Sequence, residues 1–279
     1  MGRRDGFARI RLLADLRRAI SERQLELVYQ PKFSLATGTA VGVEALVRWP
    51  HPEFGTLEPA DFLPLVRENG LMEALTEVVI DRAIGDAAGW YQMGIVLPVA
   101  INLSAPSLDD AGLPDRILSA LTDSGMPATS FMVEITEDLL LASVVRARAV
   151  LDRLREFGIR VAIDDFGSGY GAMTYLHELP IDELKLDRQF IAPIRYDGRA
   201  AAIVRSVIEL ANTLGLACVA EGVENKATAD LLKSYDCGFV QGYYFSPPVS
   251  AKTIRPGIWG SGVIGTRITP TAAAPPSSA

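Results

Sequence analysis

Short β-branched and apolar runs alternate with helix-periodic stretches along most of this 279-residue chain, and that alternation restricts the fold more than any other feature. Eight strand candidates stand out: Glu26–Phe33, Val41–Trp49, Pro98–Leu103, Phe131–Thr136, Arg160–Asp164, Glu183–Leu186, Ala217–Ala220 and Gly238–Gly242. Between them lie amphipathic patterns such as Val79, Ala83, Ala87, Trp90, then Leu151, Leu154, Phe157 stopped by Gly158, then Ile203, Val207, Leu210, Leu214 stopped by Gly215. Eight strands alternating with helices predict an α/β fold of the (β/α)8, TIM-like barrel type, with a doubly wound open sheet as the main rival. One connection breaks the alternation. Only Ser34 to Ala40 separates the first two strands, too short for a crossover helix, so strands 1 and 2 are expected to pair antiparallel as a hairpin. A turn centred on Thr37 sets Gln30 opposite Glu44, and a slip of one residue would destroy that register.

No linker composition interrupts residues 10–254, which therefore read as one domain after a short N-terminal segment, 1–9. Residues 255–279 are rich in Gly, Thr, Ala, Pro and Ser and are expected to form a disordered tail. The chain carries 27 basic against 34 acidic groups, a net −7, which argues against a nucleic-acid polymer or an anionic membrane as main partner. Neither a signal-peptide pattern nor an apolar run of about 18 residues is present. Cys218 and Cys237 are too few for a disulfide framework and read as small core residues, so a reducing cytoplasm is the expected location. The chain reads as soluble, although one piece of a longer, membrane-tethered protein is an open alternative.

The strand candidates share a second property: each carries a polar residue near its end. In chain order these are Gln30, Glu44, Asn102, Glu134, Asp164 with Asp165, Lys185, Glu221 and Gln241. Any one alone reads more readily as a solvated loop residue or a helix cap. In a barrel, however, the strand ends converge on one face, and eight such coincidences are hard to accept. Five carboxylates and one amide oxygen, in a chain with only two histidines, make an all-oxygen donor set suited to Mg²⁺ or Mn²⁺ rather than zinc. Five clustered carboxylates bring about −5, which two divalent cations would largely neutralise. A metal pair about 3.5–4 Å apart commonly activates a water and stabilises the leaving oxygen of a phosphoester. Asp164 and Asp165 would point to opposite faces of a regular strand, so both reach one site only if the strand ends there. The break is expected at Phe166-Gly167-Ser168-Gly169.

Gly167, Gly169 and Ala172 also match a dinucleotide-binding fingerprint, with Asp187 as the ribose acid. Two aspartates immediately before that turn would repel a pyrophosphate, and the motif falls in mid-chain, so the match is discounted. Nucleophile-elbow, zinc-protease and P-loop spacings are absent, and His51 and His177 read as surface or packing residues.

The segment Glu44-Ala45-Leu46-Val47-Arg48-Trp49 resembles the signature of the EAL-domain cyclic di-GMP phosphodiesterases. Further segments carry the resemblance over about Leu12 to Val249: Tyr29-Gln30-Pro31, Asn102-Leu103-Ser104, Glu134-Ile135-Thr136-Glu137, Asp164-Asp165-Phe166-Gly167, Lys185-Leu186-Asp187, Ala220-Glu221-Gly222-Val223-Glu224 and Gln241-Gly242-Tyr243. It implies hydrolysis of cyclic di-GMP to linear pGpG with two Mg²⁺ or Mn²⁺ ions. Carried over by position, Glu44, Asn102, Glu134, Asp164, Asp165 and Glu221 resemble the metal shell. Lys185 resembles the cation that contacts the attacking water, either orienting it or acting as a general base. Gln30 and Gln241 resemble the substrate-side and water-side amides, Arg48 the phosphate-contacting arginine, for which a surface ion pair is the alternative, and Glu137 the residue anchoring the loop after the fifth strand. Homodimerisation, and sensor or cyclase domains outside this chain, are further expectations of the resemblance.

The chain departs from the family in that loop, where Gly171 and Ala172 stand in place of two serines. Lowered or altered control of activity is expected there rather than lost chemistry. The competing readings are a catalytically weak cyclic di-GMP receptor and an unrelated Mg²⁺-dependent barrel enzyme acting on carbanions.

Overall fold

In the computed structural model the described residues are 2–137, 144–167, 176 and 179–259. Ten strands are described: β1 (Glu26–Ser34), β2 (Ala40–His51), β3 (Gly55–Leu57), β4 (Val99–Asn102), β5 (Phe131–Thr136), β6 (Arg160–Phe166), β7 (Glu183–Leu186), β8 (Ala217–Ala220), β9 (Phe239–Val240) and β10 (Val249–Ser250). Eight of them close a ring in the order β1-β9-β8-β7-β6-β5-β4-β2, with β2 returning to β1. The open sheet is thereby excluded. Every neighbouring pair in the ring is parallel except those of β1, which runs antiparallel to both β2 and β9.

The β1–β2 hairpin has the register set by a turn at Thr37: Gln30 lies opposite Glu44, and the pairing holds from Glu26↔Arg48 to Lys32↔Gly42 before shifting at Phe33. Gly38, at φ +71°, supplies the left-handed turn residue. Two short strands were not foreseen. β3 folds back on the end of β2, and β10 adds to the edge of β1 beside the β9 pairing. His51 closes the β2–β3 turn, with Nδ1 accepting from the backbone N–H groups of Glu53 at 3.1 Å and Phe54 at 3.3 Å. It is buried against Trp49, as a packing residue should be. His177 lies outside the described residues.

The helices form the outer layer: α1 (Gly2–Ser21), α2 (Pro59–Glu68), α3 (Met72–Gln92), α4 (Ala105–Leu108), α5 (Leu113–Asp123), α6 (Val144–Glu156), α7 (Arg188–Ile191), α8 (Gly198–Thr213) and α9 (Lys226–Ser234). Helix α3 buries Val79, Ala83, Ala87 and Trp90, the stripe expected from the sequence. Helix α8 starts where the Asp197 carboxylate accepts from the N–H groups of Arg199 and Ala200, and a left-handed Gly215 follows its end. Its buried face is Val204, Val207, Ile208 and Ala211, whereas Ile203 and Leu214 are exposed. The apolar stripe is thus rotated by about one residue from the expected one, because the small Ala211 rather than Leu214 meets the barrel. The main core lies between the helices and the outer faces of the strands. Ala100, Met132 and Ala162 form a small separate apolar cluster, and the interior faces of the strands also carry polar groups such as Glu134 and Lys185.

Candidate active site

The strand ends gather Glu44 from β2, Asn102 from β4, Glu134 from β5, Asp164 and Asp165 from β6, Lys185 from β7, and Glu221 and Gln241 just beyond β8 and β9. Lys185 is the hub. Its side chain is 1% exposed, and Nζ stands 3.2 Å from Glu44 Oε2, 2.8 Å from Glu134 Oε2, 3.0 Å from Asp164 Oδ1 and 2.7 Å from Glu221 Oε1. An ammonium has three protons for these four neighbours. It donates hydrogen bonds to Glu44 and Glu134, while Glu221 Oε1 lies close enough for an ion pair but at an angle that makes no hydrogen bond. That oxygen is a buried acceptor still wanting a partner.

Amides fix the orientation of Glu44. Asn102 Nδ2 donates to its Oε1 at 3.0 Å, and Gln241 Nε2 donates to its Oε2 at 2.7 Å. Gln241 Nε2 also reaches Gln30 Oε1 at 3.2 Å, so the hairpin register that sets Gln30 opposite Glu44 delivers both residues to one cluster. The backbone after β8 and β9 is drawn tight by glycines. A Cβ on Gly242 would lie 2.2 Å from Val223 O, and one on Gly222, at φ +65°, would lie 2.3 Å from Arg188 Cγ. These close approaches let the loop that follows Glu221 hydrogen-bond to Gln241, Val223 N–H donating to its carbonyl at 3.1 Å.

Both β6 aspartates do reach the site: the strand ends at Phe166 before a left-handed Gly167, and its backbone already turns at Asp165. Strand β6 runs on to Phe166, and Asp165 itself adopts φ +54° where the β6–β7 register shifts. A bulge with a left-handed aspartate turns both carboxylates to one side. Glu137, buried after β5, accepts from Gly167 N–H at 2.9 Å and so ties the chain beyond β6 to the neighbouring strand. Ser168, Gly169, Gly171 and Ala172 lie outside the described residues. Arg48 is not drawn into the cluster. Its Nη1 donates to Val47 O at 2.9 Å, and Nη2 makes a loose ion pair with Glu58 at 3.8 Å.

The charges are unbalanced, five carboxylates facing one ammonium, and the ionisations respond. Desolvation by burial raises Glu221 to about 8, with Asp164 and Glu44 adding to the rise against the pull of Lys185. Burial, the charge of Asp164 and a hydrogen bond with Asp187 raise Asp165 to about 7. Burial likewise pushes Glu134 well above the usual carboxylate range. Glu44 is lowered, because Lys185 and the amides of Gln241 and Asn102 together outweigh its burial. Burial alone would lower Lys185, but the four surrounding carboxylates hold it well above the usual lysine value. Two overlapping triads, Glu44 with Glu134 and Asp164, and Asp164 with Asp165 and Glu221, place carboxylate oxygens within 4.8 Å of one another. Hard, oxygen-only donors at that spacing, carrying surplus negative charge, fit divalent cations.

Two further polar features are not among the site residues the sequence points to. Asp187, the α7 N-cap, shares a hydrogen bond with Asp165, and Lys32 forms a buried ion pair with Glu183 inside the barrel. Strand alternation places Lys32 on the face of Gln30 and Glu183 on that of Lys185, a signal available in the sequence.

An eight-stranded barrel with one reversed strand and a carboxylate-lysine layer at its strand ends defines the class. The pattern of the EAL domain matches residues 13–248, and the chain belongs to that family. It is 39% identical over 246 residues to the bifunctional diguanylate cyclase/cyclic di-GMP phosphodiesterase MucR of Pseudomonas aeruginosa, covering 88% of this chain and 36% of MucR. It is 42% identical over 236 residues to the cyclic di-GMP phosphodiesterase NbdA of the same organism, covering 84% of this chain and 30% of NbdA. The chain therefore spans about a third of the length of these curated relatives. Among solved structures, the PaMucR phosphodiesterase in its c-di-GMP complex superposes with a TM-score of 0.83 at 39% identity, covering 87% of this chain and 99% of that one.

Proposed function

We propose that this chain is a metal-dependent phosphodiesterase that hydrolyses one phosphodiester of cyclic di-GMP to linear pGpG. The observation that carries the reading is the layer of five carboxylates around Lys185, with more negative charge than the protein itself neutralises. Glu44, Asn102, Glu134, Asp164, Asp165 and Glu221 would hold two Mg²⁺ or Mn²⁺ ions. Such ions supply a water of lowered pKa and stabilise negative charge on the phosphoester oxygens. Lys185, whose Nζ lies among these carboxylates, serves as a hydrogen-bond donor that orients the attacking water. Gln241 locks Glu44 and braces Gln30, whose own amide makes only a long contact of 3.4 Å to Ser246 O and is available to substrate. Arg48 shares the strand face of Glu44 four residues further along, about 13 Å towards the mouth, where a phosphate of the same ligand would lie. Glu137 holds the segment after β6 through Gly167.

We also place the functional unit at residues 10–254, working as a homodimer in the cytoplasm alongside domains outside this chain. None of the helices among the described residues is long and apolar enough to cross a membrane. The test of the catalytic reading is chromatography of cyclic di-GMP incubated with the protein and Mg²⁺ or Mn²⁺. The reading expects pGpG, with none from Glu44→Ala. Binding without product, or equal turnover by that variant, would overturn it.

A further inference from the structure

The ion pair between Lys32 and Glu183 takes no part in the reaction described above, yet it lies directly beneath the residues that do. Lys32 Nζ meets Glu183 Oε1 at 2.6 Å and Oε2 at 2.5 Å, and the two side chains are 12% and 4% exposed. Strands β9 and β8 separate β1 from β7 in the ring, so the contact spans the barrel interior instead of joining neighbours. Lys32 follows Gln30 by two residues on β1, and Glu183 precedes Lys185 by two on β7, so each shares a face with its partner. Met132 and Arg160 also border this layer, Arg160 at the start of β6. A cavity bordered by Lys32, Gly42 and Ala100 opens onto Glu44, Glu134 and Gln241.

Lys185 therefore has a further carboxylate within reach, about 7 Å down its own strand, besides the five of the upper layer. A buried carboxylate without a cation is costly, so an unpaired Glu183 would compete for the nearest ammonium. We propose that Lys32 is a positioning residue: by engaging both oxygens of Glu183 it leaves Lys185 free to stay in the upper carboxylate layer. The pair thus sets the height of the ammonium without touching substrate. Its kinetic consequence rests on the phosphodiesterase reading; its consequence for cation binding does not.

The test compares Lys32→Met, Lys32→Arg and the double variant Lys32→Met/Glu183→Gln, with calorimetric titration of Mn²⁺ alone beside steady-state kinetics on cyclic di-GMP. With Lys185 drawn down to Glu183, Lys32→Met should lose about tenfold or more in kcat, with KM within about twofold, since misplacement of an ångström commonly costs that much. The same variant should bind Mn²⁺ several-fold more tightly, because one positive charge has left the carboxylate layer. A merely structural role would weaken both. The double variant should return both values towards wild type, because an uncharged amide does not compete for the ammonium, and Lys32→Arg should keep them. Unchanged Mn²⁺ affinity in Lys32→Met, or a double variant no better than the single one, would overturn the proposal. Should Lys32→Met fail to fold, Lys32→Gln, which can hydrogen-bond to Glu183 without neutralising it, carries the same expectations. If wild type yields no pGpG, the phosphodiesterase reading fails, while the Mn²⁺ titrations still decide the role of Lys32.

Discussion

Replacing Lys185 by methionine removes the one cation of the carboxylate layer while keeping its approximate volume. Nζ has four carboxylate oxygens at 2.7–3.2 Å. At about 3 Å and an effective dielectric of about 20, each ionised neighbour is worth about 5–6 kcal/mol of Coulomb energy. Most of that gross attraction is offset. Burying the ammonium costs several kcal/mol, and the carboxylates can take up protons once the cation is gone, so the net loss for breaking a buried pair is about 3–5 kcal/mol. For a domain of this size 1 kcal/mol moves Tm by about 2–4 °C, so metal-free Lys185→Met should melt about 10 °C below wild type at pH 7.5. Saturating Mn²⁺ should shrink that difference to under about 3 °C, because two divalent ions replace the missing charge several times over. Differential scanning fluorimetry with and without Mn²⁺ measures both quantities. The reasoning is refuted if the metal-free variant melts within about 2 °C of wild type, or if Mn²⁺ leaves the gap unchanged.

The raised carboxylates give the metal-free protein a characteristic pH dependence. Asp165 at about 7 and Glu221 at about 8 hold protons more tightly folded than unfolded, so their stabilisation is full below the unfolded carboxylate value of about 4 and is lost as pH rises from there through those values. Metal-free Tm should therefore fall between about pH 5.5 and 8.5, while Mn²⁺ affinity climbs and binding releases protons; a Tm independent of pH together with proton-neutral binding would contradict this. Gly242→Ala brings a Cβ to 2.2 Å from Val223 O and 2.3 Å from Val223 N, backbone atoms that cannot swing aside. Urea denaturation should show a loss of about 1–3 kcal/mol. Product formation should drop at least about tenfold as Gln241 moves off Glu44, and an alanine variant matching wild type on both counts would show that the close approach is dispensable.

Much of the site was legible because it sits on regular strands. The hairpin register followed from a short loop centred on Thr37, and with it came the juxtaposition of Gln30 and Glu44. Glu134, Asp164 and Lys185 lie on parallel strands of the ring, so recognising the barrel was enough to bring them together. What stayed hidden needs non-local or irregular geometry. The left-handed backbone at Asp165 leaves no distinct mark in the sequence, since aspartate visits that region more readily than most residues but most aspartates do not adopt it. Strands β3 and β10, three and two residues long, are too short for periodicity to register. The Lys32–Glu183 pair joins residues 151 positions apart across the barrel interior, and neither strand betrays its opposite number. Resemblance alone makes Arg48 a phosphate contact, and here it rests on the Val47 carbonyl and on Glu58.

The central claim is that this carboxylate layer is built to hold a pair of divalent cations. Anomalous scattering from crystals grown with Mn²⁺ tests it most directly. The account predicts two peaks, one among Glu44, Glu134 and Asp164 and the other among Asp164, Asp165 and Glu221, with Lys185 still beside them. A map without anomalous density at either triad would contradict it.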